Sequence, residues 1–221
     1  MRVGAIIVAA GRGERAGGGV PKQWRKLAGR PVAQHAMLAF ATHPAVTELV
    51  LVLHEEDRAT TLWPRDPAAH IVTGGASRSD SVFAGLRALE GLVDLVLIHD
   101  AARPCVTSDV IDAVLSALNS ASAAAPAVAV VDALWTGQDG RVTGTANRDG
   151  LYRAQTPQGF HFKAILEAHQ RFPDGAADDV EIARRAGIEV AITQGHEDNL
   201  KITTPADFAR AEAILRARDG Y

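Results

Sequence analysis

Apolar and polar positions along the chain form two alternating patterns. Short, nearly unbroken runs of aliphatic and β-branched residues are typical of strands buried on both faces of a sheet. Such runs predict strands over residues 3–9, 48–54, 95–100 and 127–131. Longer stretches with helical periodicity, several opened by Pro, Ser or Asp, predict helices. These cover residues 31–42, 79–90, 108–120, 163–171, 179–186 and 205–218.

The alternation of strands and helices indicates an α/β fold with a doubly wound, mostly parallel sheet. Residues 132–155 depart from it, because they carry four glycines among short β-like pieces such as GRVTGT. That composition predicts a β-hairpin arm protruding from the sheet, and such arms often pair two subunits. The alanine-rich residues 117–130 are interpreted as a helix end followed by a loop.

Composition limits the classes of function. A chain of 221 residues with 47% hydrophobic content can bury one core, so we expect residues 1–221 to form a single domain. The net charge is −3 and the Lys and Arg residues are scattered, which favours a small-molecule ligand over nucleic acid or a membrane surface. The lone Cys105 excludes an intrachain disulfide, and neither a signal peptide nor a membrane-spanning run is recognisable. A cytoplasmic protein is expected.

Ligands of doubly wound sheets bind beyond the C-terminal ends of the strands. The segments at those positions are GRGERAGGGVPK, HEED, GGASRSDS and HDAARP. In the first of them, glycines allow the backbone to approach a polyphosphate. Arg15 and Lys22 supply positive charge for a phosphorus under attack.

Other interpretations of this glycine-rich loop fit less well. A dinucleotide fingerprint opens directly into a helix, but Gly17 comes one place late and Pro21 opposes a helix. Lys22 and Gln23 do not complete a Walker A loop. A surface loop without function would not be expected to carry basic residues at both ends beside a buried strand. A nicotinamide-dependent oxidoreductase, with Glu55 as its candidate acid, is a remote alternative.

The stretch AAGRGERAGGGVPKQW resembles the signature loop of the 2-C-methyl-D-erythritol 4-phosphate cytidylyltransferase family. Further matches follow in order: GGASRSDSVFAGL, IHDAARP, RDGLYRAQTPQGF and HEDNLKITTPADFARAE. Together they span nearly the whole chain. The resemblance implies a Rossmann-like nucleotidyltransferase of the non-mevalonate isoprenoid pathway. Such an enzyme couples CTP to methylerythritol phosphate, releases pyrophosphate and uses Mg²⁺.

The resemblance also implies a role for particular residues. Arg15 and Lys22 would stabilise transition-state charge. The CTP-binding residues would be Ala9, Ala10, Gly11, Gly13, Gly75, Ala76 and Ser81. The turn before the helix over 79–90 also has a simpler interpretation, because Ser77, Ser79 or Asp80 would cap that helix with any ligand.

Acceptor-binding residues come from later segments. Asp100 would hold a hydroxyl or orient Mg²⁺, and Arg103 would clamp a phosphate. The residues that position the incoming polyol phosphate would be Arg148, Thr156 and Lys201. Asp178 is a candidate metal or substrate ligand, although the helix dipole alone favours an acid there. His99 is interpreted as a packing or supporting residue.

Near the arm the chain departs from the family pattern. A threonine and a lysine are usual there, whereas this chain has Ala133 and Trp135, and Ala133 cannot donate a hydrogen bond to a phosphate. In the family the arm reaches a neighbouring subunit, so a homodimer with a composite site is implied. A cytidylyltransferase for ribitol 5-phosphate is the alternative enzyme. A nucleotide-binding regulator would not need cations from so many loops.

Overall fold

The computed structural model describes residues 1–12, 19–173 and 176–219, apart from the side chain of Asp219. Its strands are β1 (Val3–Ala9), β2 (Lys26–Leu27), β3 (Arg30–Pro31), β4 (Val46–Leu53), β5 (His70–Thr73), β6 (Leu95–Asp100), β7 (Ala123–Ala129), β8 (Leu134–Gln138), β9 (Arg141–Ala146), β10 (Tyr152–Ala154), β11 (Gln158–His161) and β12 (Val190–Gln194). Its α-helices are α1 (Val32–Ala41), α2 (Glu55–Arg58), α3 (Arg78–Ala88), α4 (Ser108–Ala117), α5 (Phe162–Arg171), α6 (Asp179–Arg185) and α7 (Pro205–Asp219). A 3₁₀ turn covers Lys22–Trp24.

Eight strands of the described chain form one sheet with β1 near its centre. β1 pairs in parallel with β4 on one side and β6 on the other, and β5 pairs in parallel with β4. Beyond β6 the sheet becomes mixed, because β11 runs antiparallel to both β6 and β7. β7 also pairs with β10 and, in parallel, with β12. The C-terminal ends of β1, β4 and β6 therefore lie along the same edge of the sheet.

Helices cover both faces of the sheet, as expected for a doubly wound fold. Ala5 and Ile7 of β1 face one apolar cluster, which includes Met37 of α1 and Ile111 of α4. Ile6 faces a second cluster with α3, α5 and α6. Because successive side chains of a strand point to opposite faces, a central strand must be apolar throughout, which explains the unbroken run in β1.

The structure confirms the predicted fold class and the order of its principal elements. The predicted strands over 3–9 and 95–100 have the observed bounds, and the six predicted helices are present with small shifts at their ends. The interpretation of residues 117–130 as a helix end and loop was wrong in part, because β7 already begins at Ala123. Pairing with β11 and β12 holds these small residues in the sheet. The short strands β5, β10, β11 and β12 carry too little periodicity to be recognised from sequence.

The predicted arm contains a β-hairpin made of β8 and β9. Asp139 and Gly140 connect the two strands and both have positive φ, 51° and 74°, as a two-residue hairpin turn requires. The predicted boundary at residue 155 was wrong, because Tyr152–Ala154 returns to the main sheet as β10. No helix in the described ranges is both long and apolar enough to cross a membrane.

Gly85 allows α3 to lie close to the sheet. A Cβ at this position would lie 2.7 Å from Cγ2 of Ile6 and 3.2 Å from Cγ2 of Val52, both on buried strands. We expect Gly85→Ala to lower the free energy of unfolding by about 1–3 kcal/mol, because the added methyl overpacks the core. The loss should appear despite the gain of about 1 kcal/mol in helix propensity.

Urea denaturation would measure the effect of Gly85→Ala. The control is Ala84→Gly at the neighbouring half-buried position, which reports the propensity difference between the two residues. A stabilised Gly85→Ala protein would contradict the close approach of α3 to the sheet.

Candidate active site

A cavity of about 420 Å³ opens where β1 and β6 end. Six of the residues expected to bind nucleotide line it: Ala9, Ala10, Gly11, Gly75, Ala76 and Ser81. Lys22, Asp100 and Lys201 line it as well. The topology therefore brings together segments that are far apart in sequence, as expected for a ligand site at the carboxyl edge of a doubly wound sheet.

Cations outnumber carboxylates in the described lining of the cavity. It contains four cations, Arg12, Lys22, Arg78 and Lys201, against Asp100 as its one carboxylate. Carboxylates behind the lining offset part of this charge, because Arg12 lies 2.6 Å from Glu56 and 3.1 Å from Asp57, and Arg78 lies 2.9 Å from Asp179. Lysine and arginine side chains that line a concave site can still form charge-assisted hydrogen bonds with the oxygens of a polyanion such as a triphosphate.

Asp100 at the end of β6 is the electrostatic centre of the site. Its Oδ2 lies 2.8 Å from Nζ of Lys201 and 3.8 Å from Nε of Arg103, and its Oδ1 lies 3.5 Å from Nε of Arg78. Burial alone would raise the pKa of Asp100. The positive charges of Arg78, Lys201 and Arg103 overcome that effect and hold the pKa well below its usual range. Asp100 is therefore an anion and not a proton donor.

Side-chain hydrogen bonds of Lys22 and Gln23 fix the segment that follows the glycine loop. Nε2 of Gln23 donates to the carbonyl oxygens of Ala9 and Gly11, each at 2.9 Å, and so closes the loop at its base. Nζ of Lys22 donates to the carbonyl oxygen of Ile202 at 2.8 Å. Because Ile202 N donates to the carbonyl oxygen of Ala102 at 2.8 Å, the same contacts fix the segment that carries Lys201.

The turn before α3 packs against the first loop. Ser77 and Asp80 form a capping box, so the simpler interpretation of this turn as a helix cap is correct as far as those residues go. Ser81 has a different part, because its Oγ accepts from Gly75 N at 3.2 Å and donates to the carbonyl oxygen of Ser77 at 2.9 Å. A Cβ at Gly74 would lie 2.7 Å from Cβ of Ala10, so only glycine allows this approach.

His99 supports the site from the core, in agreement with its interpretation as a supporting residue. Burial lowers the pKa of His99 to about 4, so the ring is neutral. Its Nε2 lies 3.0 Å from the carbonyl oxygen of Arg103 and therefore carries the proton. Its Nδ1 accepts from Oγ1 of Thr156 at 2.9 Å, and that oxygen accepts from Asp100 N at 3.2 Å. The ring thereby fixes the backbone that presents Asp100.

Several predicted site residues lie elsewhere. Thr156 is buried beneath the cavity, with its hydroxyl bonded to His99 and to the Asp100 backbone. The guanidinium of Arg103 donates to the carbonyl oxygens of Asn199 at 2.7 Å and Ala154 at 3.2 Å. Arg148 follows the hairpin strand β9, donates to the Val131 carbonyl oxygen and does not line the cavity of its own chain. Arg15 and Gly13 lie outside the described residues.

Asp178 is a helix cap in the structure. Its Oδ1 accepts from Glu181 N at 2.9 Å and its Oδ2 from Nε2 of Gln158 at 2.9 Å. The acid that reaches the cavity residues is its neighbour Asp179, which lies 2.9 Å from Arg78. Sequence reasoning missed Arg78, because the first position of a capped helix has an ordinary explanation. The run GGASRSDS contains no signal that distinguishes a solvated arginine from one directed into a site.

A metal ion would find few protein ligands here. Among the described residues no group of three His, Cys, Asp or Glu side chains is placed to hold one. Asp100 is the one carboxylate of the described lining, and one of its oxygens already contacts Lys201. This donor set fits only an ion such as Mg²⁺ that arrives on substrate phosphates and takes one or two carboxylates from the protein.

The neutral His99 makes stability depend on pH. The pKa of His99 is about 4 in the folded protein against 6.5 for the free side chain, so the unfolded chain takes up the proton first as pH falls. The contribution of His99 to the free energy of unfolding is therefore fully present above pH 6.5. It falls by about 3 kcal/mol as the pH is lowered towards 4. We expect the free energy of unfolding of the His99→Gln protein to lack this decrease between pH 6.5 and 4.

Urea unfolding of both proteins at several pH values would test the role of His99. The two curves of unfolding free energy against pH should converge as pH falls from 6.5 to 4. Parallel curves over that range would mean that His99 is protonated in the folded protein or does not titrate differently on unfolding.

Known proteins resemble this chain over its full length. A sequence model of the family described as 2-C-methyl-D-erythritol 4-phosphate cytidylyltransferase matches residues 3–217. A Roseobacter denitrificans protein of that name is 69% identical, with both chains covered completely. A Rhodobacter capsulatus protein named bifunctional enzyme IspD/IspF is 58% identical, over 100% of this chain and 58% of its own length.

Solved structures agree with these relatives. A crystal structure of 4-diphosphocytidyl-2C-methyl-D-erythritol synthase has a TM-score of 0.85 and 30% identity, covering 97% of this chain and 98% of the other. The 2-C-methyl-D-erythritol 4-phosphate cytidylyltransferase from Thermus thermophilus has a TM-score of 0.81 and 30% identity, covering 96% and 98%. The chain therefore belongs to the 2-C-methyl-D-erythritol 4-phosphate cytidylyltransferase family.

Proposed function

We propose that this protein transfers the cytidylyl group of CTP to 2-C-methyl-D-erythritol 4-phosphate and releases pyrophosphate, as a step of isoprenoid precursor biosynthesis. The observation that carries the proposal is the cavity at the ends of β1 and β6, whose lining supplies four cations. Four lining cations from three segments suit a substrate with several phosphates better than a nicotinamide cofactor. The first α-helix after β1 in the described chain begins only at Val32, which disfavours the dinucleotide alternative.

The reaction needs positioning and charge stabilisation more than a protein nucleophile. A phosphate oxygen of the acceptor attacks the α-phosphorus of CTP in line with the departing pyrophosphate. Lys22 is held at the base of the glycine loop, where its charge faces the triphosphate, and Arg15 is assigned the same task by its family position. The backbone of Ala9, Ala10 and Gly11, with the turn at Gly75 and Ala76, encloses the nucleotide.

Asp100 and Lys201 serve the acceptor side of the cavity. As a permanent anion 2.8 Å from Lys201, Asp100 accepts a hydrogen bond from a hydroxyl and keeps the lysine beside the incoming phosphate. Thr156 and Arg103 act on the acceptor through the backbone that they hold. Asp100 would be the protein carboxylate for a Mg²⁺ ion carried by the triphosphate, and such an ion would neutralise negative charge on the phosphate oxygens.

Pyrophosphate release with CTP and Mg²⁺ tests the proposal directly. Three reactions are compared, with methylerythritol 4-phosphate, with ribitol 5-phosphate and with no acceptor. Release with the first alone supports the proposed acceptor. Release with ribitol phosphate alone would keep the chemistry and change the acceptor, and release with neither would leave a nucleotide-binding regulator or an oxidoreductase.

We also propose a homodimer joined through the arm. The hairpin and the nearby sheet edge expose large apolar side chains: Val131 (70%), Trp135 (68%), Val142 (59%) and Ile192 (59%). Large exposed apolar side chains that lie close to one another often mark an association surface, and Val131 and Ile192 line the same surface depression. Arg148 does not line its own chain's cavity, so it would complete the cavity of the partner. The cytoplasmic location stays a prediction.

Lys22 provides the sharpest test of transition-state stabilisation. We expect Lys22→Met to lower kcat by about 10²–10³, as loss of one oxyanion-stabilising donor typically does, while Kd for CTP rises much less. Steady-state pyrophosphate release would give kcat, and calorimetric titration would give Kd. The control is Lys26→Met, a nearby exposed lysine that does not line the cavity. An unchanged kcat in Lys22→Met would remove this residue from the mechanism.

Trp135 tests the homodimer. We expect Trp135→Glu to convert the dimer into a monomer in light scattering, because a charge in a buried apolar interface lacks a partner. Activity should fall with dimerisation, since Arg148 would no longer reach the second cavity. Leu62→Glu introduces the same charge at an apolar side chain that is 37% exposed and outside the arm, and it should leave the dimer intact. A dimeric, fully active Trp135→Glu protein would contradict the proposal.

A further inference from the structure

A second group of charged side chains lies behind the cavity. Asp179 at the start of α6 and His169 near the end of α5 both have side chains that are 0% exposed. Nε2 of His169 lies 3.2 Å from Oδ1 of Asp179, and Nδ1 of His169 lies 3.5 Å from Oγ of Ser79. Neither His169 nor Asp179 lines the cavity. The proposed chemistry gives neither of them a task.

Asp179 reaches the cavity through Arg78. Its Oδ2 lies 2.9 Å from Nη1 of Arg78, and Nε of the same guanidinium lies 3.5 Å from Oδ1 of Asp100. A continuous set of contacts therefore joins His169, Asp179, Arg78 and Asp100. Lys201 extends it, 2.8 Å from the other oxygen of Asp100.

A purely structural ion pair would not need this arrangement. A buried carboxylate is costly to desolvate, and the pair has no clear advantage over apolar residues of the same volume. The arginine end of the pair is also 28% exposed and lines the cavity, whereas the acid end is fully buried. Gln158 further fixes the acid, because its Oε1 accepts from Asp179 N at 3.1 Å. The buried Asp179 is fixed in place, and the Arg78 guanidinium that it contacts lies in the cavity. Such an arrangement can hold a cation in one position.

We infer that His169 and Asp179 are positioning residues, which hold the Arg78 guanidinium against Asp100 and so orient the Asp100 carboxylate and Lys201 for the acceptor. The inference rests on the proposed function for the identity of the acceptor. One oxygen of Asp100 faces Arg78 and the other faces Lys201. If Arg78 loses its anchor, the carboxylate can turn and Lys201 moves with it. The nucleotide loop, fixed by Gln23, lies outside this set of contacts.

Two substitutions of His169 separate positioning from packing. His169→Leu removes the N–H that faces Asp179, whereas His169→Gln keeps an N–H donor. We expect His169→Leu to lower kcat/KM for the polyol phosphate by about tenfold or more, the value of a hydrogen bond to a charged group. KM for CTP should change less than about twofold, and His169→Gln should recover most of the activity.

The control is a buried histidine that packs with α1 and α4, on the other face of the sheet from α3, α5 and α6. His43 has a side chain that is 1% exposed and lies 3.2 Å from Asp112. His43→Leu should lower the melting temperature without changing either kinetic constant. An equal kinetic loss in His43→Leu and His169→Leu would mean that general destabilisation explains both. A His169→Gln protein as impaired as His169→Leu would also overturn the inference.

A readout that needs no turnover keeps the inference separate from the proposed function. The Nε–H resonance of Arg78, assigned by its disappearance in Arg78→Lys, reports how the guanidinium is held. It should shift or broaden in His169→Leu and return towards its original position in His169→Gln. An unchanged resonance in His169→Leu would refute the positioning role, even if the protein used another acceptor. If the unaltered protein released no pyrophosphate, that result would instead refute the proposed function.

Discussion

The carboxylate of Asp100 interacts with cations from three separate parts of the chain. Arg78 begins α3, Arg103 follows β6, and Lys201 lies after β12. A buried carboxylate without such partners would take up a proton or destabilise the fold. With them it stays ionised, and each cation is drawn towards the same point. The charge of Asp100 therefore both fixes the position of the site and holds the three segments together.

Neutral groups beneath Asp100 make that constraint rigid. His99 and Thr156 hold the backbone at the end of β6, and Asn199 contributes through its carbonyl oxygen to Arg103 and its side-chain amide to the Thr156 carbonyl oxygen. These bonds are buried and mutually dependent, so they specify one geometry more strongly than isolated surface contacts would. The acceptor side of the cavity is consequently built on a strand end, with little freedom to adjust, whereas the nucleotide side is built on a loop.

The mixed half and the parallel half of the sheet have different surroundings. The parallel strands β1, β4 and β6 end at the cavity, while β7, β10 and β12 support the arm and leave apolar side chains exposed around it. An exposed sheet edge favours association unless it is protected. The strand order separates the exposed side chains around β7, β10 and β12 from β1 and β4, which end at the cavity.

The sequence by itself determined the fold class, the central strands and six of the small residues that line the cavity. It could do so because a strand buried on both faces must be apolar throughout, and because glycines and small residues at its end leave a local signature. It also identified His99 as a supporting residue and placed Asp100 and Lys201 in the lining of the same cavity. Only the tertiary structure decided which charges meet. Arg78 and Asp179 each have an ordinary local explanation at the start of a helix, so their ion pair has no sequence signature. The same holds for Thr156 and Arg103, whose side chains turn to the backbone. Long-range electrostatic partners are chosen by the crossing of distant segments, and local patterns of hydrophobicity contain no record of that crossing.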